Sequence, residues 1–189
     1  MSRILVVGLG NPRAEYRNTR HNVGFQVIDL LCRRSQKELR PGKGEYHIAW
    51  VSVDGNEVGL VQPLTYMNRS GEAVVDAMRQ CEVSPEGLLV VCDDIMLPLG
   101  SLRIRSRGSD GGHNGLSSII YHLQTEAVPR LRCGIRKKQM PLQDMADFVL
   151  SPFDADEERS VREMIARAGE ACIEVVAAGL ARAMNRFNT

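Results

Sequence analysis

No stretch of the 189-residue chain approaches the ~18 consecutive apolar residues of a membrane span, so no spanning helix is expected. Cysteine is present but unorganised. The five, at 32, 81, 92, 133 and 172, form no CxxC pair and no Cys/His metal spacing. They read as small core residues of a reducing compartment, and no metal site is expected. There is no Gly-x-Ser-x-Gly elbow and no setting for a nucleophilic cysteine, which disfavours a covalent mechanism. There is no Gly-Lys-Ser/Thr phosphate loop. Gly8-Leu9-Gly10 opens like a dinucleotide fingerprint, but Pro12 fills the turn and Arg13 stands where the third glycine belongs. Met1-Ser2-Arg3 leads straight into an apolar run. No signal or transit peptide is expected, and the expected location is cytoplasmic. Internal repeats and linkers are also lacking.

What is present fits one domain over residues 1–189, expected to act as a monomer, since domains usually run to ~100–200 residues. A hydrophobic content of 43% and a charged content of 25% are ordinary for a globular protein. The net charge is only +1, yet it is unevenly spread. Residues 103–138 carry Arg103, Arg105, Arg107, Arg130, Arg132, Arg136, Lys137 and Lys138 against Asp110 and Glu126. Residues 144–170 hold eight acids against three arginines. A local basic zone fits phosphate contact better than a global charge does, although a solvated surface gives the same pattern.

Apolar spacing predicts a strand at 3–9, a helix at 23–34 and a hairpin of 45–53 with 57–62 about Asp54-Gly55-Asn56. Residues 40–44 read as a basic loop, and a helix is predicted over 72–81. Leu88 to Cys92 is a short apolar run typical of a strand buried on both faces, and it is expected to end at Asp93-Asp94. An alternating strand follows at 102–107, then a helix at 116–123 and a strand at 130–135. Residues 136–146 read as a polar loop and the candidate lid, and one long helix is predicted from Asp154 to Arg186. The order implies an α/β fold: a three-layer α/β/α sandwich on a mixed, mostly parallel twisted sheet.

Loops that follow apolar strands collect functional groups at one sheet edge. Here they offer His21, Asn11, Asn22, Asn68, Asp93, Asp94, His113 and Asn114. A neutral imidazole can take a proton from water near pH 7, and a carboxylate on its other nitrogen improves it. Asp93 is the candidate carboxylate for His21. Asparagine amides can orient water or hold a carbonyl oxygen as charge develops. The glycine-rich run 108–115 could cradle a phosphate at the start of the next helix. Taken alone, each of these residues has an equally good structural explanation as a turn or cap.

In combination they are more specific. Gly-Leu-Gly-Asn-Pro (8–12), Glu-Tyr (15–16), Thr-Arg-His-Asn-Val-Gly (19–24), Thr-Tyr-Met-Asn-Arg-Ser-Gly (65–71), Asp-Asp (93–94), Gly-Gly-His-Asn-Gly-Leu (111–116) and Arg-Leu-Arg-Cys-Gly-Ile (130–135) resemble the bacterial-type peptidyl-tRNA hydrolase family, in order, over essentially the whole chain. The resemblance implies metal- and cofactor-independent cleavage of the ester between a peptide and the 3′ end of tRNA. It implies His21 as the base that activates water and Asp93 as its support. Asn11 would touch the substrate beside the scissile ester. Tyr16, Tyr66, Asn68 and Asn114 would line the site, and His113 would shape its rim. Arg105 and Arg132 match positions that hold tRNA phosphate. Two departures stand out: Met96 where the family usually has Asp, and Arg136-Lys137-Lys138 where it has Gly-Arg/His-Pro. The same family includes a non-catalytic chloroplast factor for group II intron splicing, which is the alternative. A nucleotide-binding or phosphorylase-like enzyme of similar architecture is a third class.

Overall fold

The computed structural model describes residues 3–137 and 145–188. A seven-stranded sheet runs through it in the order β2-β3-β4-β1-β5-β7-β6. The strands are β1 (Arg3–Gly8), β2 (Arg40–Pro41), β3 (Tyr46–Val53), β4 (Asn56–Pro63), β5 (Leu88–Pro98), β6 (Leu102–Arg105) and β7 (Arg130–Arg136). The central β4, β1, β5 and β7 are parallel, β3 and β6 run antiparallel to them, and the short edge strand β2 pairs antiparallel with β3. The helices are α1 (Val23–Arg34), α2 (Ser70–Cys81), α3 (Asn114–Leu123), α4 (Met145–Leu150), α5 (Glu158–Ala178) and α6 (Leu180–Phe187).

Alternation along the central strands divides the core in two. Val6, Leu89 and Val91 pack with α1, α5 and α6, whereas Leu5, Val7, Leu88 and Val90 pack with α2 and α3. Both faces are covered, which is why these strands read as continuous apolar runs. The mixed three-layer sandwich is as expected. The hairpin turn is also as expected, with Asp54 and Gly55 at φ of 46° and 79°, the positive pair that a tight hairpin turn requires.

Four expectations need correction. The strand at Leu88 does not stop at Cys92: β5 continues to Pro98, with Asp93 opposite Cys133 and Asp94 opposite Gly134. Charge ended the apolar pattern, but partners from other elements make both buried carboxylates tolerable there. The loop at 40–44 contains the short edge strand β2. The helix expected from 154 to 186 starts at Glu158 and breaks at Gly179, whose φ of 86° no helix adopts. The break turns α6 back, where Arg182 and Arg186 pair with Glu174. It also brings Asn188 to Ile104, whose N–H and C=O it satisfies at 2.6 and 3.2 Å, so that edge strand β6 is covered. Finally, α4 forms where no helix was expected; the candidate lid lies largely at 138–144, outside the described residues.

Candidate active site

The turn after β1 is set by close packing. A Cβ on Gly8 would fall 2.2 Å from the Gly24 carbonyl oxygen, and one on Gly24 would fall 2.4 Å from the Leu9 nitrogen. The two glycines let α1 start directly against the end of β1. The intervening loop is tied by Asn22, whose side chain accepts from the Asn11 N–H at 2.8 Å and donates to its carbonyl at 3.0 Å. That clasp leaves residues 20–22 as a single helical turn, with His21 buried at its centre.

His21 Nδ1 lies 2.8 Å from Asp93 Oδ1. The same oxygen is 3.1 Å from His113 Nε2, and the two rings sit 4.8 Å apart. The proton positions follow from the contacts. His113 Nδ1 accepts the N–H groups of Gly115 and Leu116, both at 3.2 Å, as the N-cap of α3. Its proton is therefore on Nε2 and is donated to Asp93. Asp93 also takes the His21 Nδ1 proton, so the His21 Nε2 lone pair is left free. Burial alone would lower the His21 pKa, but the Asp93 charge and hydrogen bond outweigh it, and the pKa lies above the ordinary 6.5. Burial pushes Asp93 upward, yet the two imidazoles, His113 first, hold it well below the usual carboxylate range.

These residues line a cleft of about 390 Å³ with Met96, Asn114, Arg132, Met145, Ala146 and Val149. It opens beyond the carboxyl end of β1 and along the second half of β5, whose residues 92–96 line it. Arg132 Nε is 2.6 Å from Asp94 Oδ2, a charge contact without hydrogen-bond alignment. Met96 is exposed on the cleft wall, and its N–H is held by Asp94 Oδ1 at 2.8 Å. Among the described residues, His21, Asp93 and His113 are the one group whose ligand atoms are close enough together to hold a metal, and their inward nitrogens already direct protons at the carboxylate.

The other predicted residues fall on either side of this centre. Asn11 is not among those lining the cleft; with Arg13, Arg17 and His47 it lines the neighbouring cavity. Its Oδ1 accepts the Arg13 N–H at 3.2 Å, which leaves its amide hydrogens for a ligand. The exposed Tyr66 ring carries the Arg13 guanidinium 5.6 Å from its centre. Asn68 is exposed on a turn whose Met67 packs at the start of α3, because a Cβ on Gly115 would meet the Met67 sulfur. Tyr16 is half-buried at the end of a short turn.

Arg105 and Arg103 are half-buried on β6, opposite Arg130 and Arg132 on β7. Like charges directly across a sheet destabilise it, so this face is better explained by a ligand than by the fold. Arg130 is the exception: it is buried, and it donates to the carbonyls of Gly108, Ser109 and Glu126 as an internal brace. In the glycine-rich run, the N–H groups of Gly108, Gly112, His113 and Gly115 are already taken by Glu126, Asp110 and His113, which leaves fewer donors for a phosphate. The extra charge of Lys137 is met by Asp154; Lys138 lies outside the described residues. All five cysteines are buried and unpaired, and burial pushes the Cys32 thiol up to about 11 and that of Cys172 to about 12, as core residues require. Asn22 was among the polar groups expected at this edge, but its part in clasping the loop was not; Arg20, marked only by its place in the 19–24 motif, escaped the sequence reading.

An imidazole with a free lone pair, held on a buried carboxylate beside a basic strand face, has the geometry that general-base hydrolytic enzymes use. The model of the peptidyl-tRNA hydrolase family matches residues 5–189. Peptidyl-tRNA hydrolases of Chlorobium phaeobacteroides and Chlorobaculum parvum are 48% and 45% identical over 184 residues, covering 97% of this chain and 97% of each relative. The crystal structure of peptidyl-tRNA hydrolase from Acinetobacter baumannii matches with a TM-score of 0.90 at 32% identity, over 98% of this chain and 94% of that one. The chain belongs to the peptidyl-tRNA hydrolase family. The splicing-factor alternative finds no support among these relatives.

Proposed function

We propose that this protein hydrolyses the ester joining a peptide to the 3′ end of tRNA and that His21 is its base. The observation that carries this reading is the free His21 Nε2 lone pair, set by the two imidazole protons that converge on Asp93. Nε2 takes a proton from water as the water oxygen attacks the ester carbonyl. Asp93 stabilises the resulting imidazolium. The oxyanion is met by an amide donor, for which Asn114 in the cleft is the candidate, and Asn11, from the neighbouring cavity, touches the substrate beside the ester. As the intermediate collapses, the imidazolium returns its proton to the ribose oxygen that leaves. Tyr16, Tyr66, Asn68 and His113 bound the path of the peptide and the terminal adenosine. Arg105 and Arg132 hold phosphate. An amide site of this kind accepts a blocked nitrogen and rejects a free ammonium group, which would be desolvated without a partner. Such an enzyme serves where translation runs, in the cytoplasm, and it works as a monomer.

The test is hydrolysis of an N-blocked aminoacyl-tRNA compared with the free aminoacyl form. Wild-type protein is expected to cleave the blocked substrate selectively, and His21→Ala to lose about 10²–10⁴-fold in kcat with the fold intact. Near wild-type turnover by folded His21→Ala would reject the mechanism. Equal cleavage of both substrates would reject the discrimination.

A further inference from the structure

Among the described residues, the neighbour of His21 has the largest fully buried side chain. Arg20 is 1% exposed, and its partner Glu157 is 7% exposed. Arg20 Nη1 donates to Glu157 Oε1 at 3.1 Å, and Nη2 donates to Oε2 at 2.5 Å. The guanidinium lies 4.4 Å from the Phe148 ring centre and 4.6 Å from that of Phe153. It also reaches the Ile135 carbonyl and the Ser151 hydroxyl, each at 3.4 Å. One side chain therefore grips α4, the start of α5 and the end of β7. Phe148 lies on the same short helix as Met145, Ala146 and Val149, which form one wall of the cleft.

Joining the two segments does not itself require this charge. The backbone already links them, through the Thr19–Pro152 bridge and the Arg20 N–H on the Ser151 carbonyl at 3.0 Å. An apolar side chain of similar volume would fill the space without taking two ions out of water. What the guanidinium adds is orientation. Its planar fork fixes Glu157, and the same guanidinium packs against two rings.

We infer that Arg20 is a positioning residue, which locks the α4 wall of the cleft to the turn carrying His21 and so sets the distance between the base and the substrate enclosed against that wall. The inference rests on His21 being the base. With the pin weakened, substrate still binds through the basic face, but the ester and its water sit less accurately against Nε2. Loss of accuracy at the reacting atoms lowers kcat far more than it changes KM.

Arg20→Lys, Glu157→Gln and Phe148→Ala test this, compared with wild type at a temperature where circular dichroism shows each to be folded. The expected result is a fall in kcat of about tenfold or more on a blocked aminoacyl-tRNA, with little change in KM. Amide hydrogen exchange is expected to quicken together in residues 145–150 and 19–22. Lysine keeps the charge but not the fork, so it should not rescue turnover. A kcat within twofold of wild type in the folded variants overturns the inference, and so does a purely KM effect. Should Arg20→Lys fail to fold, Phe148→Ala carries the same test from the half-buried wall. If wild type itself proves inactive, the hydrolase proposal fails separately. Exchange then decides the pin alone: coupled quickening supports it, and unchanged exchange in either segment overturns it.

Discussion

Asp93 Oδ1 receives two imidazole protons in a buried setting, and that arrangement sets the pH response of the site. His21 acts as a base only when unprotonated, and its pKa is raised above 6.5. Activity should therefore fall as pH drops through a value above that of a free imidazole. Asp93→Asn removes the charge that raises the pKa and leaves the burial that lowers it. The acid limb should move to lower pH, and the plateau kcat should fall by about 10²–10⁴-fold. A pH profile of kcat checks both; an unmoved limb would mean that Asp93 does not support the base. The same shift bears on stability. Protonated His21 is favoured in the fold, so its contribution is complete below the unfolded imidazole pKa and is lost as pH rises through the folded value. His21 and Asp93 were both legible as residues. Their pairing was expected as well, although 72 positions separate them; the atoms that meet, and the second imidazole on the same oxygen, come only from the fold.

At the level of elements, the approach of α1 to the end of β1 places His21, the proposed base. Gly8 and Gly24 allow it, since the space for either Cβ is already filled by backbone atoms. Gly24→Ala is expected to destabilise the protein by about 1–3 kcal/mol through overpacking, and to lower kcat as the His21 turn shifts. Thermal denaturation followed by the hydrolysis assay measures the two effects, and an unchanged Tm would show that the junction yields. The element boundaries were readable where local chemistry decides them, as at Asp54-Gly55. They were misread where a distant partner decides them. β5 runs on through Asp93 and Asp94 because β7, two imidazoles and Arg132 receive them. The terminal helix breaks at Gly179 because its last turns fold back to cover β6. Nothing near those positions in the chain reports such partners.

Over the whole molecule, charge is arranged in two ways that one linear count cannot separate. Arg103 and Arg105 are half-buried on edge strand β6 and Arg132 lines the cleft against Asp94, while Arg130 and Lys137 have internal partners. Arg105→Ala should weaken tRNA binding and reduce the slope of log K against log salt by about one unit, as loss of one phosphate contact requires. Arg130→Ala should instead lower stability by unbracing the loop at 108–109. Titrations of uncharged tRNA over a range of salt concentrations distinguish the two, and an Arg105→Ala slope equal to that of wild type would remove this face from the tRNA site. Chelation should leave turnover unchanged, because the one compact group of potential ligands among the described residues has its inward nitrogens engaged with the carboxylate; loss of activity on chelation would assign a metal there.

The amino-acid sequence by itself determined the layers, the order of strands and helices, and the residue types at the sheet edge. Apolar periodicity and turn chemistry are local properties, and these features depend on little else. Only the tertiary structure decided that His113 and His21 share one oxygen, that Asn11 faces the neighbouring cavity, that one basic residue is a brace, and that Arg20 is a buried pin. Each of these depends on which groups meet after burial. Burial is where a charge must find a partner, and a proton must lie on one nitrogen rather than the other.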